Sequence, residues 1–99
     1  NRESLIRILK EPKHSLIKQF QKLFEIDGVK LSFEEKALSY IVDKAIEYKV
    51  GARGLRSILE SVLLDLMFDI PSKKEKKDIK ITENFVKKQL QKRNNLDAI

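Results

Sequence analysis

The sequence predicts a predominantly helical α+β domain of about four to five helices, with a small sheet of two or three short strands. Apolar residues recur every three or four positions over most of the chain, as in amphipathic helices. Residues 29–31 and 79–81 instead alternate apolar and polar side chains, as short half-buried strands do. The length of 99 residues suits one hydrophobic core.

The composition excludes several classes of protein. Hydrophobic residues make up 41% of the chain, enough to close a core, and charged residues make up 36%. The chain has no cysteine, which excludes disulfides, Cys-ligated zinc and thiol catalysis, and its single histidine does not support a metal site. The longest apolar stretch, residues 58–70, contains three acidic residues and is shorter than the ~20 apolar residues of a membrane span. We therefore expect a cytoplasmic domain that binds no membrane.

The first two helices are predicted to meet at residues 10–12, because the residue before a proline is disfavoured in helices. Leu5, Ile8 and Leu9 give the first helix its apolar face. Pro12 suits the first position of the second helix, which is predicted to run to about Glu25. The apolar positions of this second helix are Leu16, Ile17, Phe20, Leu23 and Phe24.

The third helix is predicted to begin at Ser32, because Ser32 and Glu35 match the S-x-x-E capping box. It should end near Tyr48 or Lys49, with Gly51 as its left-handed cap. Its predicted apolar stripe consists of Phe33, Ala37, Leu38, Ile41, Val42, Ala45 and Ile46.

The fourth helix is predicted from about Ala52 until Pro71 stops it. Its stripe consists of Leu55, Ile58, Leu59, Val62, Leu63, Leu66, Met67 and Ile70. A charged connection over residues 71–77 follows, and then a strand at 79–81 that can pair with 29–31. Thr82 should cap a last helix through about Gln91, and residues 92–99 are predicted to be a disordered tail.

Residues 51–57, GARGLRS, depart from what a helix start favours. Gly54 lies in the first turn, where glycine is less favourable than alanine by up to ~1 kcal/mol, so a close approach of backbone is indicated there. Arg53 and Arg56 add cations where the helix dipole is already positive. They would be well placed if an anion such as phosphate binds. The alternative is that they pair with surface carboxylates such as Glu60.

Four segments of the chain resemble the C-terminal small (lid) subdomain of the ClpX family. The members of this family are hexameric AAA+ unfoldases. These segments are LKEPK (residues 9–13), LFEIDGV (23–29), GARGLRS (51–57) and DLMFDIPS (65–72). Their order and spacing match the family over about residues 4–81. The resemblance implies three parts. Residues 1–11 are the end of a connection to a large domain and the hinge, residues 12–91 are the small subdomain, and residues 92–99 are the tail.

The resemblance also implies a role for the GARGLRS segment. Arg53 matches the sensor-2 arginine, which in the family reaches nucleotide phosphates at the junction of the large and small subdomains. Gly51, Ala52 and Gly54 complete that motif, and Arg56 is a second candidate for nucleotide binding. The implied hinge consists of Leu9, Lys10, Glu11, Pro12 and Lys13.

The implied cofactor is ATP or ADP with Mg²⁺, held by the full-length protein and not wholly by these residues. The implied partners are the chain's own large AAA+ domain, neighbouring subunits of a homohexamer, and the ClpP peptidase and protein substrates through other regions.

No catalytic residue is predicted in these 99 residues. Only three glycines are present, so there is no G-x-x-x-x-G-K-[ST] phosphate loop, and no nucleophile elbow or triad spacing occurs. The expectation is that the full-length protein is an ATPase and that this part alone is not an enzyme.

The alternative function is a basic helical module that binds nucleic acid or a protein partner, since the net charge is +6. Its candidate residues are Lys73, Lys74, Lys76, Lys77, Lys87, Lys88, Lys92 and Arg93. Nucleic acid is disfavoured because Glu75, Asp78 and Glu83 interrupt the basic run and no aromatic residue is interleaved with it for base stacking.

Overall fold

The computed structural model describes residues 2–11, 15–69 and 77–97. In these segments the chain forms five helices and a two-stranded sheet, which confirms the predicted α+β class. In chain order the elements are α1 (Arg2–Lys10), α2 (Leu16–Ile26), β1 (Val29–Phe33), α3 (Glu35–Glu47), α4 (Gly51–Asp69), β2 (Lys77–Ile81) and α5 (Glu83–Asp97).

The start of α2 differs from the prediction. The helix begins at Leu16 and not at Pro12, because Ser15 is its N-cap and the Ser15 Oγ accepts a hydrogen bond from the backbone N–H of Lys18 at 3.0 Å. A serine hydroxyl at the N-cap accepts a hydrogen bond from a free N–H of the first turn, whereas a proline at the first helical position satisfies no such N–H. Pro12 itself lies outside the described residues.

The two strands pair in parallel, with Leu31 opposite Ile79 and Phe33 opposite Ile81. This confirms the pairing of the two predicted segments, although both strands are longer than predicted. Parallel strands need a long crossover, and here the chain passes through α3 and α4 between them.

The predicted capping box at Ser32 is wrong. Ser32 belongs to β1, and its Oγ donates to the carbonyl of Ile79 at 3.4 Å. Helix α3 therefore begins at Glu35, with Glu34 as an N-cap that makes no side-chain capping bond. Pairing with a strand 47 positions away has overridden the local capping preference.

The end of α3 also differs from the prediction. Lys49, not Gly51, takes the left-handed conformation just past the helix, with φ of 57°. The backbone N–H of Val50 bonds the carbonyl of Ala45 at 3.1 Å, and that of Lys49 bonds Ile46 at 3.0 Å, which is the Schellman pattern. Gly51 does have a positive φ, of 58°, but it is the first residue of α4.

Helix α5 begins as predicted and ends later. The backbone N–H of Phe85 donates to Thr82 Oγ1 at 3.1 Å, which confirms the cap. The helix continues past Gln91 to Asp97, so residues 92–97 are helical and not the predicted disordered tail, while 98–99 lie outside the described residues. Lys92 Nζ contacts Asp65 Oδ2 at 2.7 Å and ties this part of α5 to α4.

One hydrophobic core joins all seven elements. Its buried side chains are Leu5, Leu9, Phe20, Phe24, Val29, Leu31, Ala37, Leu38, Ile41, Val42, Ala45, Leu55, Ile58, Leu59, Val62, Leu63, Ile81, Val86 and Leu90. Most of the predicted stripes are in this set, but Leu23 and Ile46 are about half exposed, at 50% and 45%. Within the described segments, no helix is both long and apolar enough to cross a membrane.

Candidate functional site

The predicted site lies at the junction of α3 and α4. The two helices are separated only by residues 48–50, and the GARGLRS segment forms the first turns of α4. The N–H groups of a first helical turn have no partner within the helix, and the helix dipole makes this end positive. The junction therefore combines the positive end of the α4 dipole with two exposed arginines, Arg53 and Arg56.

Arg53 is exposed in the first turn of α4. Within the described part of the chain, its guanidinium makes no hydrogen bond, ion pair or ring contact. Its planar group of donors is thus available to an anion from outside the domain, such as a phosphate.

Arg56 is held in place by neighbouring side chains. Its Nη1 donates to Gln19 Oε1 at 3.0 Å, and its Nε contacts Glu60 Oε1 at 3.2 Å. Its guanidinium carbon also lies 5.3 Å from the centre of the Phe20 ring. Pairing with Glu60, which was the alternative to anion binding, therefore describes Arg56 and not Arg53.

Gly54 has a packing role that the sequence indicated only as a close approach. A Cβ atom at Gly54 would overlap with the side chain of Val50. A Cβ atom at Gly51 would meet nothing within 4 Å, so the need for glycine there comes from its positive φ. Ala52, the remaining motif residue, is exposed.

The first two residues of the predicted hinge are held by contacts within the domain. Leu9 is fully buried in the core, and Lys10 Nζ contacts Glu35 Oε2 at 2.6 Å. Glu11 is bonded through its backbone N–H to the last turn of α1 at 2.7 Å. A bend at Leu9 or Lys10 would break these contacts, and residues 12–13 lie outside the described part.

Polar contacts that the sequence did not indicate join α4 to α5. Gln89 Nε2 donates to the Val62 carbonyl and to Asp65 Oδ2, both at 3.2 Å, and Lys92 adds its contact to the same carboxylate. The hydrogen bond from Lys92, followed by that from Gln89, lowers the pKa of Asp65 below its ordinary value of 3.8. Helical periodicity cannot reveal such pairs because they lie on different elements.

A second charged cluster lies on α3. The hydrogen bond to Glu47, at 2.7 Å, raises the pKa of Lys44. Lys44 also lies over the Tyr40 ring, 5.4 Å from its centre, and Lys87 of α5 lies 5.5 Å from the same centre. Lys87 is further paired with Glu83 at 3.7 Å. These lysines are thus engaged within the domain.

Of the basic residues behind the nucleic-acid alternative whose side chains are described, Lys88 is exposed without an acidic partner among the described residues. Lys87 and Lys92 both have acidic partners. Residues 73–76 and the side chains of Lys77 and Arg93 lie outside what is described. The described segments also hold no group of three or more His, Cys, Asp or Glu residues that could bind a metal ion.

Comparison with known proteins places these features in a family. Residues 1–84 match the model of the C-terminal D2-small domain of ClpB protein. The chain is also similar to proteins named ATP-dependent Clp protease ATP-binding subunit ClpX. It is 57% identical to that of Bacteroides thetaiotaomicron and 55% identical to that of Bacteroides fragilis, each over 95% of the chain.

A third relative is subunit ClpX 2 of Wolinella succinogenes, 55% identical over 87% of the chain. The chain spans 22% of the length of each of these three relatives.

Proposed function

Because this chain belongs to the family of C-terminal D2-small domains and is similar to part of ClpX, we propose that it is the small domain of a ClpX-type, cytoplasmic, ATP-dependent hexameric protein unfoldase. In this proposal Arg53 is the sensor-2 arginine. It contacts the phosphates of a nucleotide that the large domain of the same protein binds with Mg²⁺.

The difference between Arg53 and Arg56 is the observation that carries the proposal. Both belong to the same short motif, yet Arg56 is bound to Gln19 and Glu60, while Arg53 is exposed without a partner in the described residues. Arg53 keeps its donors for a ligand at a helix end where the dipole favours an anion. A guanidinium offers a geometry that matches phosphate oxygens.

The mechanism follows from a ligand shared between two domains. If the large domain holds most of the nucleotide and Arg53 supplies one contact from the small domain, ATP and ADP favour different orientations of the two domains. In a ring, where a small domain packs on the neighbouring subunit, each change of orientation moves the next subunit. Such movement can unfold a protein substrate and pass it to ClpP, with both bound through other regions.

The hinge is part of the same proposal. Leu9 is buried and Lys10 is paired with Glu35, so α1 moves as one body with α3. Leu5 and Leu9 also share one core with Phe20 and Phe24 of α2, so in this proposal the two domains turn relative to each other on the N-terminal side of α1, and not within residues 9–13.

The experiment is Arg53→Ala in a full-length protein that carries this domain. We expect ATP-driven unfolding to fall by roughly tenfold or more, since one charged contact to a transferring phosphate is lost. The free energy of unfolding of the domain should change by less than ~0.5 kcal/mol, because Arg53 contributes nothing to the core. The matched control is Arg2→Ala, which removes a half-exposed arginine at the start of α1. Unchanged ATPase and unfolding activity would exclude the sensor-2 role.

A further inference from the structure

We propose that Arg56 is a positioning residue. It fixes the first turns of α4 against α2 and so sets the direction in which the Arg53 side chain extends from the domain surface. This inference rests on the nucleotide-contacting role proposed for Arg53. It assigns to Arg56 no contact with nucleotide.

The contacts of Arg56 come from two separate elements. Gln19 and Phe20 belong to α2, and Glu60 lies one turn further along α4. Nη1 bonds the Gln19 amide oxygen at 3.0 Å and Nε contacts the Glu60 carboxylate at 3.2 Å, so two different edges of the guanidinium are occupied. The Arg56 side chain therefore cannot rotate without losing at least one partner.

The Phe20 ring provides a fixed contact surface for the Arg56 guanidinium. Phe20 is only 1% exposed and belongs to the core, so its ring is fixed by packing. The Arg56 guanidinium carbon lies 5.3 Å from the ring centre, within the range of a cation–π contact. The guanidinium is thus placed by a core side chain as well as by polar partners on the surface.

This bridge matters because α2 and α4 otherwise approach each other little. In the described residues, α2 packs mainly on β1 and α1, α4 packs mainly on α3 and α5, and α1 contacts both α2 and α4. Arg56 adds a direct link between α2 and the end of α4 that carries Arg53. Arg53 and Arg56 are three positions apart, so their side chains project from adjacent positions on the helix surface.

Glu60 adds an electrostatic consequence. Its carboxylate offsets the charge of Arg56, so that Arg53 is the arginine of the motif whose charge has no acidic partner in the described chain. An incoming phosphate is thereby directed to Arg53. Loss of Arg56 would both loosen the first turns of α4 and leave Glu60 free to attract Arg53.

The test is a double-mutant cycle in the full-length protein, read as the affinity for a fluorescent ATP analogue. Binding by the large domain keeps this signal measurable when Arg53 is absent. We expect Arg56→Ala to weaken affinity by roughly tenfold when Arg53 is present, since a misplaced group loses much of its contact. In an Arg53→Ala background the same change should have almost no effect. Gln19→Ala should give a smaller loss with the same dependence on Arg53.

Two further variants separate positioning from folding. Arg56→Lys keeps the charge but loses the planar pair of donors, so it should resemble Arg56→Ala. Arg2→Ala removes the contact between Arg2 Nε and Asp43 Oδ1 at 3.0 Å, whose exposure (49% and 59%) is close to that of the Arg56–Glu60 pair (50% and 53%). This control should leave affinity unchanged. If Arg56→Ala does not fold, Gln19→Ala and Arg56→Lys decide the question.

The possible outcomes distinguish this inference from the proposed function. If Arg53→Ala weakens binding but Arg56→Ala gives the same loss in both backgrounds, or none in either, the positioning role is wrong and the sensor-2 role stands. If Arg53→Ala leaves both binding and ATPase activity unchanged, the proposed function fails, and the positioning role fails with it. A loss that depends on Arg53 supports both.

Discussion

The side chain of Val50 lies so close to Gly54 that no Cβ atom can be placed between them. Val50 comes directly before α4, and its carbonyl accepts the bond from the Gly54 N–H at 3.3 Å that closes the first turn. Glycine in a helix costs up to ~1 kcal/mol relative to alanine. The missing Cβ at Gly54 leaves room for the Val50 side chain and so allows the short connection between α3 and α4. The position of Arg53 depends on this connection.

Gly54→Ala should therefore destabilise the domain, although alanine is the better helix former. The new Cβ would overlap with Val50 Cβ, which cannot move without the backbone, so we expect a loss of ~1–3 kcal/mol in the free energy of unfolding. Chemical denaturation measures it. In a Val50→Gly background the same substitution should instead stabilise by up to ~1 kcal/mol. Equal effects in both backgrounds would show that Val50 is not the obstacle.

Lys49→Gly should stabilise the domain. Lys49 has a φ of 57°, a conformation that glycine adopts without the steric cost borne by other residues. We expect a gain of ~0.5–1 kcal/mol, measured by thermal or denaturant unfolding. The control is Lys22→Gly in the exposed interior of α2, where the substitution should cost ~1 kcal/mol. A loss at both positions would contradict the left-handed cap.

The order and type of the elements could be predicted from the sequence because their signals are local. Apolar positions three and four apart define α3 and α4, and Thr82 caps the helix that follows it at once. The errors occurred at the boundaries of the elements. Ser15 caps α2, where the sequence predicted a start at Pro12, and pairing with β2 keeps Ser32 in β1, where the sequence predicted the cap of α3.

The site could be predicted only in part for a similar reason. The motif and its position at a helix start are local features, and so is the unusual Gly54. The difference between Arg53 and Arg56 is not local, because Gln19 lies 37 positions from Arg56 along the chain. No periodicity predicts that contact.

Leu59→Ala should be strongly destabilising. Leu59 is fully buried in the core, so removal of its side chain leaves a cavity and should cost ~2–5 kcal/mol. Denaturant unfolding measures the change. Leu64→Ala is the control on the same helix, since Leu64 is 49% exposed, and it should cost much less. Similar losses at the two positions would mean that the burial assigned to α4 is wrong.

Asp65→Asn should weaken the attachment of α5 in a pH-dependent way. The hydrogen bonds from Lys92 and Gln89 lower the pKa of Asp65 in the folded chain below 3.8. A group whose pKa is lower in the folded state stabilises that state above its unfolded pKa and loses the effect as the pH falls through the folded value. The melting temperature of Asp65→Asn should therefore lie below that of the parent at neutral pH. The difference should shrink as the pH falls below 3.8.

Lys92→Met tests the origin of that pH dependence, because it removes the main partner and leaves the carboxylate in place. Without Lys92, the substitution of Asp65 should change the melting temperature less at neutral pH, and the change should depend less on pH. Other carboxylates titrate in the same range, so the difference between paired variants is the quantity to compare. A difference between parent and Asp65→Asn that stays constant from neutral pH to about pH 3 would contradict the role of this pair, because a protonated Asp65 can no longer hold Lys92 by charge.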